Sequence, residues 1–478
     1  MGKSKEKLKV LNVVSEVVPF IATGGMGQVA GALAKSLAEN DPELDVRIVA
    51  PLYALFRDKY EPQMEFLGET TVRLSWREAY CGVFKLEQNG LTYYFVDNRF
   101  YFGRESAYGY YDDGERFAYF SKAVFSVMEI AGFTPDVIHA HDWQAALVPI
   151  YLKTRFAERY GNVRSVFTIH NLEYQGKYPL EILSDVFDLW PEEEGLVEYD
   201  KCINLLKGAL VCADKITTVS PSYAQEIQSG EGYGLDNIIA ENAYKLSGII
   251  NGIDTKANDP ATDPMIEKNY SVDDLSGKAV NKAELQALFS LPCSPNTMLI
   301  CVVSRLVSHK GIDLITYMME DLLKLDVQFL LLGTGDHDFE LFFEEMALQH
   351  TDKVGVSIAF NPEIASHIYA GADVMLMPSR SEPCGLAQMI ACRYGTIPIV
   401  RKTGGLGDTI RDSRTGAGNG FVFEEYDAGV LLGTISQALN LYKYHEDDWK
   451  NLMQEAMKCD FGWELSAKAY ASLYRELR

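Results

Sequence analysis

The feature that most limits the folds open to this chain is a rhythm of short apolar runs separated by helix-period segments. In the first half the runs are Val10–Val14, Val46–Ala50, Val137–His139, Ser165–Ile169 and Ile216–Val219. In the second they are Met298–Val303, Val327–Leu332, Val356–Phe360, Val374–Met377 and Thr396–Val400. Runs this short and this apolar are strands buried on both faces. The helices between them must cover those faces, so the pattern predicts an α/β fold with doubly wound parallel sheets. One hairpin breaks the rhythm. Val83–Leu86 and Tyr93–Val96 flank Asn89-Gly90, a pair that accepts the positive φ angles of a tight turn.

At 478 residues the chain is too long for one ordinary core. A boundary is expected near residues 254 to 265, where Asn258-Asp259-Pro260-Ala261-Thr262-Asp263-Pro264 carries two prolines and no periodicity. Either side is large enough for an α/β domain.

The residues at the strand ends say more than the strands. Ser15-Glu16, His139-Ala140-His141-Asp142, His170-Asn171, Ser220 and Asn251 follow strands of the first half. Ser304-Arg305, Gly333-Thr334-Gly335, Ser379 through Glu382 and Thr403-Gly404-Gly405 follow strands of the second. Open α/β sheets bind ligands at the carboxyl ends of their strands, so two such rows predict two rims facing across a cleft.

Thr23-Gly24-Gly25 stands between a strand and a helix whose apolar face is Met26, Val29, Ala30, Leu33 and Leu37. Glycines there let backbone approach a ligand, and the helix start offers N–H groups to phosphate. A tight strand-to-helix turn needs glycine for its own sake too, so both readings stand. The same string recurs at Thr403-Gly404-Gly405. Arg305 and Lys310 place two cations in one loop, which suits a diphosphate gaining charge as it leaves and equally suits a surface loop with ordinary solvated charges. Glu382 follows a strand and precedes a helix, where a carboxylate either serves chemistry or complements the helix dipole. His139, His141 and Asp142 lack further matching ligands, so no metal is expected. Trp143 is expected in the core.

Composition closes other doors. A net charge of −23 excludes attraction to nucleic acid or to an anionic membrane. The eight cysteines are scattered without metal-ligand spacing, as small buried side chains in a reducing compartment would be. The lysine-rich start leads into a short apolar run and then Pro19, which predicts neither a signal peptide nor a membrane span. A cytoplasmic protein is expected.

Taken together, the strings resemble the bacterial glycogen synthase and plant starch synthase family, nearly end to end and in order. They include His139-Ala140-His141-Asp142-Trp143, Phe167-Thr168-Ile169-His170-Asn171-Leu172, and Asp214 through Pro221. Leu246 through Asp254, the Arg305/Lys310 loop, Leu332 through Asp336, Glu382-Pro383-Cys384-Gly385-Leu386 and Lys402 through Leu406 continue the likeness.

The resemblance implies two Rossmann-like domains of the GT-B type. Residues 1–254 would form the acceptor side and 255–455 the nucleotide-sugar side, with 456–478 carrying a helix back to the first domain. It implies retaining transfer of glucose from ADP-glucose to the non-reducing end of an α-1,4-glucan, without metal or other cofactor. By resemblance Arg305 and Lys310 hold the diphosphate and Glu382 organises the glucosyl ring. Asp142, His170 and Asn251 line the sugar pocket. Phe360 packs on the base, and Thr23, Gly24, Gly25, Gly333, Thr403, Gly404 and Gly405 contact the substrate.

Three positions depart from the family pattern. Ala22 stands where a lysine is usual, Gln28 where an aspartate is usual, and Asn258 where a tryptophan is common. The first two touch the rim of the expected site. An enzyme with weakened donor use and a non-catalytic glucan-binding or regulatory paralogue both fit at this point.

Overall fold

The computed structural model describes residues 7–478. The chain divides into two compact units, one running to Gly252 and taking back Trp463–Arg478, the other spanning Ile253–Gly462.

In the first unit the large sheet is built from β1 (Leu8–Val13), β2 (Leu44–Pro51), β3 (Glu65–Leu74), β4 (Arg77–Gln88), β5 (Leu91–Asp97), β6 (Val137–His141) and β7 (Arg164–Ile169). A small antiparallel sheet of β8 (Lys177–Tyr178), β9 (Glu198–Tyr199) and β10 (Cys202–Asn204) follows. The strands β11 (Lys215–Thr218) and β12 (Leu246–Gly248) then rejoin the large sheet. Its order is β12-β11-β7-β6-β1-β2-β5-β4-β3, parallel as far as β5. The last three strands form an antiparallel meander. The β4–β5 turn has φ of 52° at Asn89 and 77° at Gly90, the double left-handed geometry for which that dipeptide is suited. The edge strand β3 has no counterpart among the expected runs. It is largely exposed, and polar residues interrupt its apolar pattern.

The second unit has one sheet, built from β13 (Met298–Val303), β14 (Val327–Gly333), β15 (Val354–Ile358), β16 (Val374–Met377), β17 (Ile397–Arg401) and β18 (Phe421–Phe423). Its order is β15-β14-β13-β16-β17-β18, all parallel. Successive residues of one strand feed opposite cores. Phe329 and Leu331 enter one cluster with Ile315, Leu431 and Ile435, while Leu330 and Leu332 enter another with Leu285, Ile368 and Tyr394. Each such side chain contributes about 1.5–3 kcal/mol by leaving water. This double burial is why the strands read as unbroken apolar runs.

Two expectations are corrected. The run read as Val356–Phe360 is a strand over Val354–Ile358, and Phe360 lies beyond its end. The proline-rich stretch at 258–264 is an ordered part of the second unit. Asp263 is buried and accepts the Tyr394 hydroxyl at 2.6 Å, and Arg393 pairs with Asp259 at 3.5 Å.

Helix α1 (Gly25–Asn40) buries Met26, Val29, Ala30, Leu33 and Leu37, the face its spacing predicts. It packs against the returning helix Trp463–Glu476, which buries Trp463, Ala467, Tyr470 and Tyr474 in the first unit. No helix among the described residues is long and apolar enough to cross a membrane.

Candidate active site

Each large sheet has one point where the parallel strand order reverses, and some of the expected site residues follow the strands beside it, while His170, Asn251, Gly333, Phe360 and Thr403 follow or end neighbouring strands. In the first unit the reversal lies between β1 and β6. Chain after β1 carries Ser15 and Glu16, and chain after β6 carries Asp142. Such a switch point leaves a crevice at the strand ends, because the flanking connections depart in opposite directions.

Asp142 has φ 54° and ψ −178°, a backbone region that costs a non-glycine residue about 1–3 kcal/mol. The surrounding bonds maintain it. Its N–H donates to the Thr168 carbonyl at 3.0 Å, and its Oδ1 accepts from the His170 N–H at 2.7 Å and the Asn171 N–H at 3.4 Å. Asp142 thereby ties the chain after β6 to the chain after β7. Burial pushes its carboxyl up to about 7, against the lowering effect of those two N–H groups, and Glu16 adds to the rise. A strained, buried carboxyl at a strand end is a mark of a functional site.

His170 meets His141, the Nε2 of the first lying 2.9 Å from the Nδ1 of the second. His139 has both nitrogens occupied, by the Tyr474 hydroxyl at 2.7 Å and the Thr168 hydroxyl at 2.5 Å. It is a buried tie to the returning helix. Asn251 is also buried, and its Oδ1 has no hydrogen-bond partner among the described residues. Trp143 packs edge-on against Phe117 at 5.3 Å but is only half-buried, so it is not the fully buried core residue expected.

At the start of α1, Thr23 donates both its N–H and its hydroxyl to Glu16 Oε2. Burial raises the Glu16 carboxyl above its ordinary range, and the Thr23 bonds oppose that rise. A side chain at Gly24 or Gly25 would meet nothing within 4 Å. These two glycines therefore leave exposed backbone at a helix start without being demanded by internal packing. Ala22 and Gln28 are exposed beside them.

In the second unit the reversal lies between β13 and β16, and it is crossed by an ion pair. Lys310 Nζ lies 2.8 and 2.7 Å from the two Glu382 oxygens, and the Ser379 hydroxyl donates to Oε2 at 3.1 Å. Glu382 is buried and stands well before the helix Ala387–Arg393, so its partner is Lys310 and not the helix dipole. Arg305 is exposed in the same loop as Lys310.

Glycines bring these loops together. Gly311, at φ 75°, has room for no side chain because the Pro378 carbonyl oxygen would lie 2.2 Å from its Cβ. Beside it the Arg380 N–H donates to the His309 carbonyl at 2.8 Å. Gly404, at φ 41°, would place a Cβ 2.1 Å from the Glu382 carbonyl oxygen, and Gly405 would place one 2.2 Å from that of Cys384. Gly333 lies as close to the Ser304 carbonyl, with 1.9 Å for the same construction. At 333, 404 and 405 internal packing thus already requires glycine. Thr403 stands, in extended backbone, at the position just before the short helix Gly404–Thr409. Phe360 is 90% exposed, an aromatic ring with almost no cover in its own unit.

Sequence reasoning passed over Asn12 and Tyr474. Asn12 had a signal, since an amide inside an apolar strand needs a reason to be there. Among the described residues no group of three or more His, Cys, Asp or Glu side chains is placed to hold a metal ion.

Comparison with known proteins gives the chain its family. Residues 9–241 match the family model described as starch synthase catalytic domain, and residues 288–452 that of glycosyl transferases group 1. A glycogen synthase of Anoxybacillus flavithermus is 45% identical over 477 residues, 98% of each chain. One of Ligilactobacillus salivarius is 43% identical over 98% of this chain and all of its own. The catalytic domain of starch synthase IV from Arabidopsis thaliana, solved bound to ADP and acarbose, superposes with a TM-score of 0.90 at 33% identity over 99% of both chains. A sucrose-phosphate synthase from Thermosynechococcus elongatus shares the fold at TM-score 0.63 and 18% identity, over 98% of this chain and 99% of its own.

Proposed function

We propose, from the premise that this chain belongs to the glycogen and starch synthase family of glycosyltransferases, that it extends an α-1,4-glucan with glucose from ADP-glucose. The observation that carries this reading is a likeness to glycogen synthases at 45% identity over 98% of the chain. The ADP bound in the Arabidopsis relative supports ADP as the leaving group here.

The residues supply what the reaction needs. When the bond between the anomeric carbon and phosphate breaks, its electron pair leaves with the diphosphate and positive charge develops on the sugar. Arg305 and Lys310 take the growing phosphate charge. Glu382 holds Lys310 in place and organises the glucosyl ring. Asp142, His170 and Asn251 bind the sugar, and the unpartnered Asn251 oxygen supports a ligand hydroxyl there. The open turn at Thr23, Gly24 and Gly25 offers N–H groups to phosphate. Gly333, Thr403, Gly404 and Gly405 shape the donor side, and Phe360 stacks on the base. The acceptor hydroxyl attacks from the face the diphosphate leaves, giving its proton to the departing phosphate oxygen. Configuration is retained, with neither metal nor cofactor taking part.

Labelled ADP-glucose and UDP-glucose, each offered with a glycogen primer, test the reading. Incorporation from ADP-glucose in preference to UDP-glucose is expected. No incorporation from either would overturn it in favour of a glucan-binding paralogue.

A further inference from the structure

Side chains from three adjacent parallel strands and one helix of the first unit form a buried polar chain behind His170. Asn12 comes from β1, His139 and His141 from β6, Thr168 from β7, and Tyr474 from the returning helix. All five are buried. The His139 and His141 rings lie against one another with centroids 4.1 Å apart, and the His141 and His170 rings are stacked at 5.2 Å. His139 is anchored at both nitrogens, so it forms a fixed wall for His141.

We infer that His141 is a positioning residue for glucosyl transfer, holding the His170 ring in one orientation and in the tautomer that leaves His170 Nδ1 unprotonated as an acceptor. The geometry gives the tautomer. His141 Nε2 lies 3.4 Å from Asn12 Oδ1, which can only accept, so the hydrogen of that ring sits on Nε2. His141 Nδ1 is then an acceptor, and the proton in its 2.9 Å contact with His170 must come from His170 Nε2. That leaves Nδ1 of His170 to accept from a sugar hydroxyl. Burial lowers the His170 pKa to about 3 and that of His141 well below its ordinary value. Both rings are therefore neutral near pH 7, as one donor facing one acceptor requires. The Asn12 amide is the far end of the chain, and its Nδ2 has no partner among the described residues.

This inference rests on the reading of His170 as a sugar-binding residue, and the test separates the two. The full chain, labelled with 15N-histidine, is studied by two-bond proton–nitrogen correlation near pH 7.5, with a His170→Asn variant assigning the signal. The expected pattern for His170 is a neutral ring with its hydrogen on Nε2. In His141→Phe the ring should become a mixture of tautomers. In His141→Asn, whose Oδ1 can stand in for the lost Nδ1, the pattern should return. In parallel, His141→Phe should lower kcat by about tenfold or more, as losing one oriented hydrogen bond can, while KM for ADP-glucose stays within about threefold. His141→Asn should recover most of that loss.

A His170 ring with its hydrogen on Nδ1 in the parent protein would overturn the inference, whatever the variants do. So would a folded His141→Phe that keeps the parental kcat. Unimpaired transfer by His170→Ala would instead bring down the sugar-site reading, and the parent spectrum would still decide the tautomer.

Discussion

Replacing Asp142 by asparagine separates what this site costs the fold from what it does for the reaction. Asp142 is buried, and its carboxyl is pushed up to about 7, chiefly by that burial. In the unfolded chain the same group titrates at about 3.9. Between those values the folded state holds a proton that the unfolded state has released. Stability therefore falls as pH rises from about 4 to about 7, the reverse of the usual behaviour of a paired carboxylate. A difference of roughly three pKa units, at about 1.36 kcal/mol each, sets a ceiling of about 4 kcal/mol on the loss at pH 8 and about 1.5 kcal/mol at pH 5. Asparagine cannot ionise, yet its Oδ1 can still accept the His170 and Asn171 N–H groups. The expected result is a variant more stable than the parent at pH 8, with an advantage that shrinks toward pH 5. Urea unfolding at pH 5, 6, 7 and 8 measures this, and melting shifts of roughly 2–4 °C per kcal/mol should accompany it. Transfer at pH 8, where the parent carboxyl is ionised, should drop by about a hundredfold, because that charge is gone. A stability difference that does not change with pH would refute the reasoning, as would a variant that is less stable at pH 8.

Other expectations follow from the same loops. Glu382→Ala and Lys310→Ala should each lower kcat/KM by about a hundredfold or more while circular dichroism stays parental; near-normal turnover in both would remove them from the site. Gly404→Ala forces a side chain to within 2.1 Å of the Glu382 carbonyl oxygen at φ 41°. It should cost about 1–3 kcal/mol of stability along with activity, and a variant as stable and active as the parent would disprove the packing account. Ala22→Lys adds a cation at an exposed position beside the α1 start. It should raise kcat/KM for ADP-glucose by at most about ten- to 150-fold, the worth of one charge-assisted hydrogen bond. A folded variant without any gain would mean that this rim does not meet the phosphate.

What the amino-acid sequence determined by itself was the central strands of both large sheets and the family. A strand buried on both faces must be apolar at nearly every position, so Met298–Val303 and Val374–Met377 are legible to the residue. The hairpin was legible because Asn89-Gly90 is a local requirement of its turn. The edge strand β3 was not, since an exposed edge places little demand on side chains. The helix Trp463–Glu476 was expected by resemblance to return to the first domain, but its packing against α1 depends on a partner hundreds of residues away.

Within the site, the residue types at the strand ends were readable, but their relations were not. Nothing near Glu382 in sequence announces Lys310 as its partner, because the pair closes over 72 positions. The glycines at 404 and 405 look like those at 24 and 25. Only the fold shows that the first pair is pressed against the Glu382–Cys384 loop while the second faces open space. The raised pKa of Asp142 and the joined rings of His141 and His170 likewise belong to the assembled unit. Periodicity and turn chemistry act between near neighbours and are written along the chain. Desolvation, ion pairing and close backbone approach act through space, and they exist only once the sheet has brought its strand ends together.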